Sequence, residues 1–312
     1  MAGILLYSDK EKLAMELITA ANQIAVALGK EIKAVTINNE SQAQMLAGAG
    51  ADTYKVNNDK ILQADVAAVA AVLQQTAQKL DIDTILLSSN RRGKELAGRL
   101  AQIMGAGCLS DVAGIKVEGN RIECQRNALG GATVATQYIA AERKVIAIMP
   151  RAFDSAGAAA AAGKISELEV EARLSGVKML ELKAKSSDSV DIEAANILVA
   201  VGEGLNSQTE MGMVETLAQK LGAEIACSKP VATDKKWLSE DRIIGLSGKK
   251  CKPELAILLG ISGQVQFMVG IRDAKTIVAV NTDENAPINQ MADYILTADL
   301  HEVVAQLNKT LA

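Results

Sequence analysis

The chain has 312 residues, of which 49% are hydrophobic, 22% charged and only 2% aromatic. That length exceeds one ordinary domain and predicts two, and a core of Ala, Val, Ile and Leu suits helices laid on a parallel sheet. A net charge of −4 argues against general affinity for nucleic acid or for an anionic membrane surface.

The scarce residue types narrow the chemistry further. Cys108, Cys124, Cys227 and Cys251 form no CxxC pair, which fits reduced, mostly packed thiols in a cytoplasmic protein. His301 is the only histidine, so a metal site is not expected. The opening MAGILLYSDKEKL lacks the basic start and small-residue cleavage site of a signal peptide. No stretch has the length of a membrane span, so no membrane insertion is expected.

In chain order, GILLYS (3–8) predicts a buried strand and KEKLAMELITAANQIAVALG a helix stopped by Gly29. EIKAVTIN predicts a strand, SQAQMLAGAG a short helix and TYKV a brief strand. A long Ala/Val/Leu helix is expected over 58–81, then a strand TILLSSN (84–90) and a helix RRGKELAGRLAQIMG. Such alternation predicts a parallel sheet covered on both faces. After Gly105 the pattern turns to hairpins, with turns at EGN and ALGG, and ELEVEARLSGVKMLELKAK looks extended. AGAAAAAG (156–163) is low in complexity. KSSDSVDIEAAN is polar and suits a linker, which places the boundary between domains 1–189 and 190–312.

Alternation resumes at ILVAVGEG (197–204), followed by a helix over 207–221. Strands are then expected at EIACS, RIIGLSG, LAILLGISG, KTIVAVN and ADYILTAD, before a final helix HEVVAQLNKTL. The fold class is therefore α/β, with two domains that each carry a mostly parallel sheet flanked by helices. Ligands of such sheets gather at the carboxyl ends of the strands. Here those ends carry Gly202-Glu203-Gly204, Ser228-Lys229, Gly245 to Gly248, Ile261-Ser262-Gly263, Asn281 and Asp299. One by one these are turn residues, and Asp299 with Glu302 makes a capping box. Together they favour a nucleotide site, because small residues admit a ligand to the backbone and free amides bind phosphate. Neither GxGxxG nor GxxxxGK[ST] follows a strand.

From Arg242 to Leu300 the chain reads RIIGLSGKKCKPELAILLGISGQVQFMVGIRDAKTIVAVNTDENAPINQMADYILTADL. This stretch resembles, without gaps, the carboxy-terminal FAD-binding domain of electron-transfer flavoprotein α subunits. That family shows PEL, then GISG with Gln and His three and four residues on, then IVAIN, API and ADY. LLSSNRRGKELAGRLAQIMGAGCLSDV and the Gly130-Gly131 turn resemble the family's amino-terminal domain more loosely. The resemblance implies a Rossmann-like FAD domain and an amino-terminal domain engaged in subunit contacts. It implies that Ile244, Gly245, Leu246 and Ser247 lie against the flavin ring, with the Ser247 hydroxyl near N5. Ser262, Gly263, Gln264, Val265, Gln266 and Phe267 would wrap the ribityl-diphosphate, and Ser228 and Lys229 would contact the ring or the phosphates. Asn281, Asp299 and Leu300 would hold the adenosine end.

The chain departs from the family at several of these positions. The family commonly has Arg at Glu203 and Lys229, Gln at Leu246, Thr at Ser247 and His at Phe267. Lys229 keeps the charge without the planar fork, and Phe267 lacks a donor for negative charge on the ring. A singly reduced, anionic flavin is expected to be harder to hold here. Elsewhere, His301 is expected to be solvated and Trp237 to be a packing anchor or partner contact. Arg91 and Arg92 suit either a solvated turn or a contact with a partner or an anion.

The resemblance implies an electron carrier that pairs with an electron-transfer flavoprotein β subunit. It would exchange electrons with a flavoprotein dehydrogenase of the acyl-CoA dehydrogenase type, as in fatty acid β-oxidation. No acid/base pair or nucleophile stands out. The alternatives are a nucleotide-binding scaffold subunit with weakened FAD binding, and a nicotinamide-dependent oxidoreductase, which the missing fingerprint disfavours.

Overall fold

The computed structural model describes residues 3–129, 133–181 and 190–311, and the chain divides into two compact units between Leu182 and Lys183. The Gly130-Gly131 turn and residues 185–189 of the expected linker lie outside the described residues.

The first unit runs β1 (Gly3–Tyr7), α1 (Glu11–Leu28), β2 (Ile32–Ile37), α2 (Glu40–Gly48), β3 (Asp52–Val56), α3 (Val66–Lys79), β4 (Ile82–Ser88), α4 (Arg91–Met104). It continues through β5 (Gly107–Glu118), β6 (Arg121–Ala128), β7 (Thr133–Tyr138), β8 (Lys144–Ile148) and β9 (Ile165–Glu167). Among the described residues these strands form one sheet in the order β7-β6-β5-β8-β4-β1-β2-β3-β9. Pairing is parallel from β5 to β9, while β5–β6 and β6–β7 are antiparallel. All five residues of β1 are buried, which is what a strand covered on both faces demands of its sequence. The expected helix over 58–81 starts only at Val66, because the Asp65 side chain caps it through the Ala68 N–H. The preceding Asn58 makes a turn instead, its carbonyl accepting from the Ile61 N–H.

The second unit comprises β10 (Ile197–Val201), α5 (Met211–Leu221), β11 (Glu224–Cys227), α6 (Lys229–Thr233), β12 (Leu255–Leu259), α7 (Val265–Ile271), β13 (Ile277–Asn281), β14 (Tyr294–Thr297) and α8 (Leu300–Thr310). The sheet is parallel throughout, in the order β11-β10-β12-β13-β14. Successive residues of its strands feed opposite cores: Leu198, Ala200, Leu258 and Ala279 pack on one face, and Val199, Val201, Leu259 and Val280 on the other. Burial also pushes the thiols of Cys124, up to about 11, and Cys227, up to about 12, away from the reactive thiolate form.

One expected strand is absent. RIIGLSG is a 3-10 turn at Glu240–Arg242 followed by a doubled-back loop. The Ile243 carbonyl accepts from the Lys249 N–H at 2.8 Å and the Gly245 N–H reaches the Lys249 carbonyl at 3.1 Å. Gly245 has φ +140, a backbone that side-chain-bearing residues rarely adopt, and this turns the segment away from the sheet after isolated bridges. Among the described residues, no helix is long and apolar enough to cross a membrane.

Candidate cofactor groove

The chain leaves β10 for β11 on one side and returns to β12 on the other. In open parallel sheets the ligand crevice lies at such a reversal, outside the carboxyl ends of the strands. A groove of about 870 Å³ lies there, within the range of cofactor and drug-sized sites. Gly202, Glu203 and Gly204 enter it from β10, Ser228 and Lys229 from β11, and Gly260 to Gln264 from β12. Asn281 enters from β13, and Asp299, Leu300 and His301 from the loop after β14. Ile244, Gly245, Leu246, Ser247, Gln266 and Phe267 line it as well. Of the positions implied by the resemblance, only Val265 does not line the groove; it starts α7 and is 61% exposed.

The glycines at the strand ends serve packing between loops. The Gly204 N–H donates to the Gly260 carbonyl at 3.0 Å, and a Cβ on Gly204 would stand 2.6 Å from the Gly260 Cα. A Cβ on Gly245 would meet the Gln266 carbonyl oxygen at 2.7 Å. That same oxygen accepts from the Leu246 N–H at 2.8 Å, so the doubled-back loop is locked onto α7. Leu246 and Ser247 are left exposed at its tip, Leu246 by 63%.

Beyond β12 the backbone is left open. Among the described residues, the N–H groups of Ser262, Gly263, Gln264, Val265 and Gln266 have no acceptor, whereas the Phe267 and Met268 N–H groups both reach the Gln264 carbonyl. Five successive free amides at a strand-to-helix turn make a nest for anionic oxygens. Asn281, by contrast, is spent within the protein. Its amide nitrogen donates to the Ile261 carbonyl at 3.0 Å and its oxygen accepts from the Asp283 N–H at 3.0 Å, bracing the two loops.

The charges are sparse. Lys229 and Glu203 are both exposed in the groove, and among the described residues neither forms an ion pair. Phe267 is 6% exposed and belongs to the same core cluster as Ile244 and Ile271, and it also borders the groove. Trp237 is half-buried against the second core, with the Lys235 ammonium 4.3 Å from its ring centre. Among the described residues, no group of three His, Cys, Asp or Glu is placed to hold a metal ion.

His301 stands in the first turn of α8 with its side chain 33% exposed, and the structure adds that its ring is held by two carboxylates. Its Nδ1 lies 2.8 Å from Asp299 Oδ1 and its Nε2 2.8 Å from Glu210 Oε2. Glu210 and then Asp299 raise the imidazole pKa above its ordinary value. Hydrogen bonds from His301 in turn hold both carboxyls below theirs. Asp299 does cap α8, through the His301 N–H at 2.7 Å. The sequence could show the Asp-Leu-His spacing, but not Glu210, which comes from another element 91 positions earlier. Asn206, Thr233 and Asp234 also line the groove, and nothing in their local sequence marked them.

Comparison with known proteins places this groove in a family. Residues 191–272 match the family model described as the electron transfer flavoprotein FAD-binding domain. Residues 9–173 match the electron transfer flavoprotein domain. Protein FixB of Salmonella typhimurium is 31% identical over 316 aligned positions, covering 100% of this chain and 98% of that protein. Protein FixB of Escherichia coli O157:H7 is 33% identical, covering 98% of this chain and 97% of that protein. The matched FAD-binding segment contains the free amides, the doubled-back loop and Lys229, a donor set that fits a dinucleotide diphosphate. The chain belongs to the electron-transfer flavoprotein α-subunit family.

Proposed function

We propose that the groove of the second unit holds FAD and that the chain works as the α subunit of a heterodimer with an electron-transfer flavoprotein β subunit. The observation that carries this reading is the run of five unpaired amides after β12, inside the segment that matches the FAD-binding family model. These amides, from Ser262 to Gln266, would bind the diphosphate, with Lys229 supplying a positive charge from the β11 side. Ile244 to Ser247 would border the ring, where the exposed Ser247 hydroxyl can donate a hydrogen bond. The buried Phe267 would close one side of the ring pocket and keep water from it. Asp299 and Leu300 would border the adenosine end, with Asn281 acting as a brace rather than a ligand.

Bound FAD supplies the electron-accepting chemistry, so the protein needs no acid/base pair or nucleophile of its own. The chain binds, orients and shields. Its electrons would come from a flavoprotein dehydrogenase, with the acyl-CoA dehydrogenase class as the expected partner, in the cytoplasm. Glu203 favours a second reading, a scaffold subunit that has lost the cofactor, because its carboxylate faces an anionic ligand across the same groove.

Co-expression with a β subunit separates the two. A yellow heterodimer that carries FAD and binds it more weakly on Lys229→Glu supports the carrier. A folded, colourless heterodimer that takes up no added FAD supports the scaffold.

A further inference from the structure

His301 is the only histidine of the chain and stands at the start of α8, on the rim of the groove. Its two ring nitrogens each face a carboxylate oxygen at 2.8 Å, Asp299 Oδ1 on one side and Glu210 Oε2 on the other. Ionised carboxylates only accept hydrogen bonds, and a neutral imidazole has a single N–H. A neutral ring can therefore satisfy one partner and must turn a lone pair toward the other. Both contacts together require imidazolium. Glu210, on a 3-10 turn, and Asp299, at the α8 cap, are the charges that act on the ring, and its partial burial opposes them. Glu302 shares the helix, and Glu203, Lys229 and Asp234 enter the groove from the β10 and β11 loops.

The bridge extends beyond these side chains. Glu210 Oε2 also accepts from the Asn206 N–H at 2.9 Å, and Asn206 lines the groove from the loop after β10. Asp299 Oδ1 fixes the start of α8 through the His301 N–H at 2.7 Å. The ring thus ties the loop after β10 to the loop after β14, which lies at the far edge of the sheet. We propose that His301 is a positioning residue whose imidazolium form staples these two loops across one end of the groove, so that FAD is held more tightly when the ring is protonated. This rests on the assignment of the groove to FAD. Losing the proton breaks one contact and releases either the β10 loop or the Asp299 carboxylate at the proposed adenosine end. The grip is therefore complete at pH below the ordinary histidine value and declines as pH rises through the raised value of the folded state.

A single histidine gives a single imidazole signal, so NMR titration reports this ring without ambiguity. The full chain, isotope-labelled at histidine and assembled with an unlabelled companion subunit, is titrated without and with FAD. FAD affinity is measured across the same pH range. The midpoint without FAD should lie above 6.5. Binding and protonation are reciprocal, so about fivefold weaker binding by the neutral form appears as a rise of about 0.7 pH units when FAD is added. His301→Gln should bind FAD about fivefold more weakly than the wild type at low pH, with little pH dependence between about pH 6 and 9. Glu210→Gln, which keeps an acceptor for Asn206, should lower the midpoint and flatten the wild-type pH dependence. A midpoint at or below 6.5 without FAD overturns the staple. A raised midpoint that does not move while FAD demonstrably binds overturns the coupling. No FAD uptake at any pH overturns the cofactor assignment and the coupling with it, and the FAD-free midpoint still shows whether the bridge exists.

Discussion

The two units handle the carboxyl ends of their strands in opposite ways. In the first, Asp9 after β1 accepts from Asn90 at 2.7 Å and pairs with Arg92 at 3.3 Å, while Asn90 caps α4 through the Gly93 N–H at 2.8 Å. Ser8 and Ser88 bond to each other at 2.8 Å, and Asp111 takes Lys94 at 2.9 Å. These polar groups have partners in the protein, and the cavity bordered by Tyr7, Ser8, Asp9 and Arg92 is about 20 Å³. In the second unit Asn281 is braced, Lys229 and Glu203 form no ion pair among the described residues, the amides after β12 are open, and the groove is about 870 Å³. A parallel sheet offers a site at its carboxyl edge, and side chains decide whether the site is filled from within.

The comparison can be broken most severely at glycine. Gly245→Val in the second unit should cost about 2–4 kcal/mol, from the clash with Gln266 and the positive φ, and abolish FAD uptake. Gly98→Ala on α4 of the first unit meets open space and should stabilise by about 0.5–1 kcal/mol. Denaturant midpoints of the two variants check both signs.

Charge changes give a smaller and more selective contrast. Lys229→Glu should weaken FAD binding about tenfold, a change of about 1.4 kcal/mol, with the unfolding midpoint nearly unmoved. Asp9→Ala should do the reverse, costing about 1 kcal/mol of stability by stranding Asn90 and Arg92 and leaving FAD affinity unchanged. Equal effects of both on FAD would erase the distinction between a filled edge and an open one.

Phe267→His sharpens the contrast inside the groove. Placing an imidazole among Ile244 and Ile271 should destabilise by about 1–2 kcal/mol. If the ring edge meets the flavin, the variant should also accumulate more singly reduced, anionic flavin in a redox titration. The smallest effect concerns pH. His301 has a raised pKa in the folded chain, so its contribution to stability is complete below 6.5 and fades as pH rises through the folded value. Thermal midpoints of the wild type should fall slightly over that window and those of His301→Gln should not.

Much of this contrast was legible beforehand. The apolar runs GILLY, ILVAV, LAILL and IVAVN are strands because only a doubly covered strand buries such runs on both faces. The turn after LAILL was legible as a small, glycine-bearing strand end, and its amides from Ser262 to Gln266 have no acceptor among the described residues. RIIGLSG was misread as a strand because its apolar start matches one, and only the Gln266 carbonyl of α7 reveals why Gly245 must turn. The glycines at strand ends announced close approach, but not that much of it is between loops.

The sequence by itself determined the alternation of strands and helices, the open turn after β12 and the residue types available to a flavin dinucleotide, since each follows from local periodicity and backbone freedom. Only the tertiary structure decided which polar groups are spent on the protein and which remain for a ligand. Asn281, Asp9 and His301 are all polar residues near strand ends, and they differ because hydrogen-bond partners are set by which distant segments the fold brings within about 3 Å.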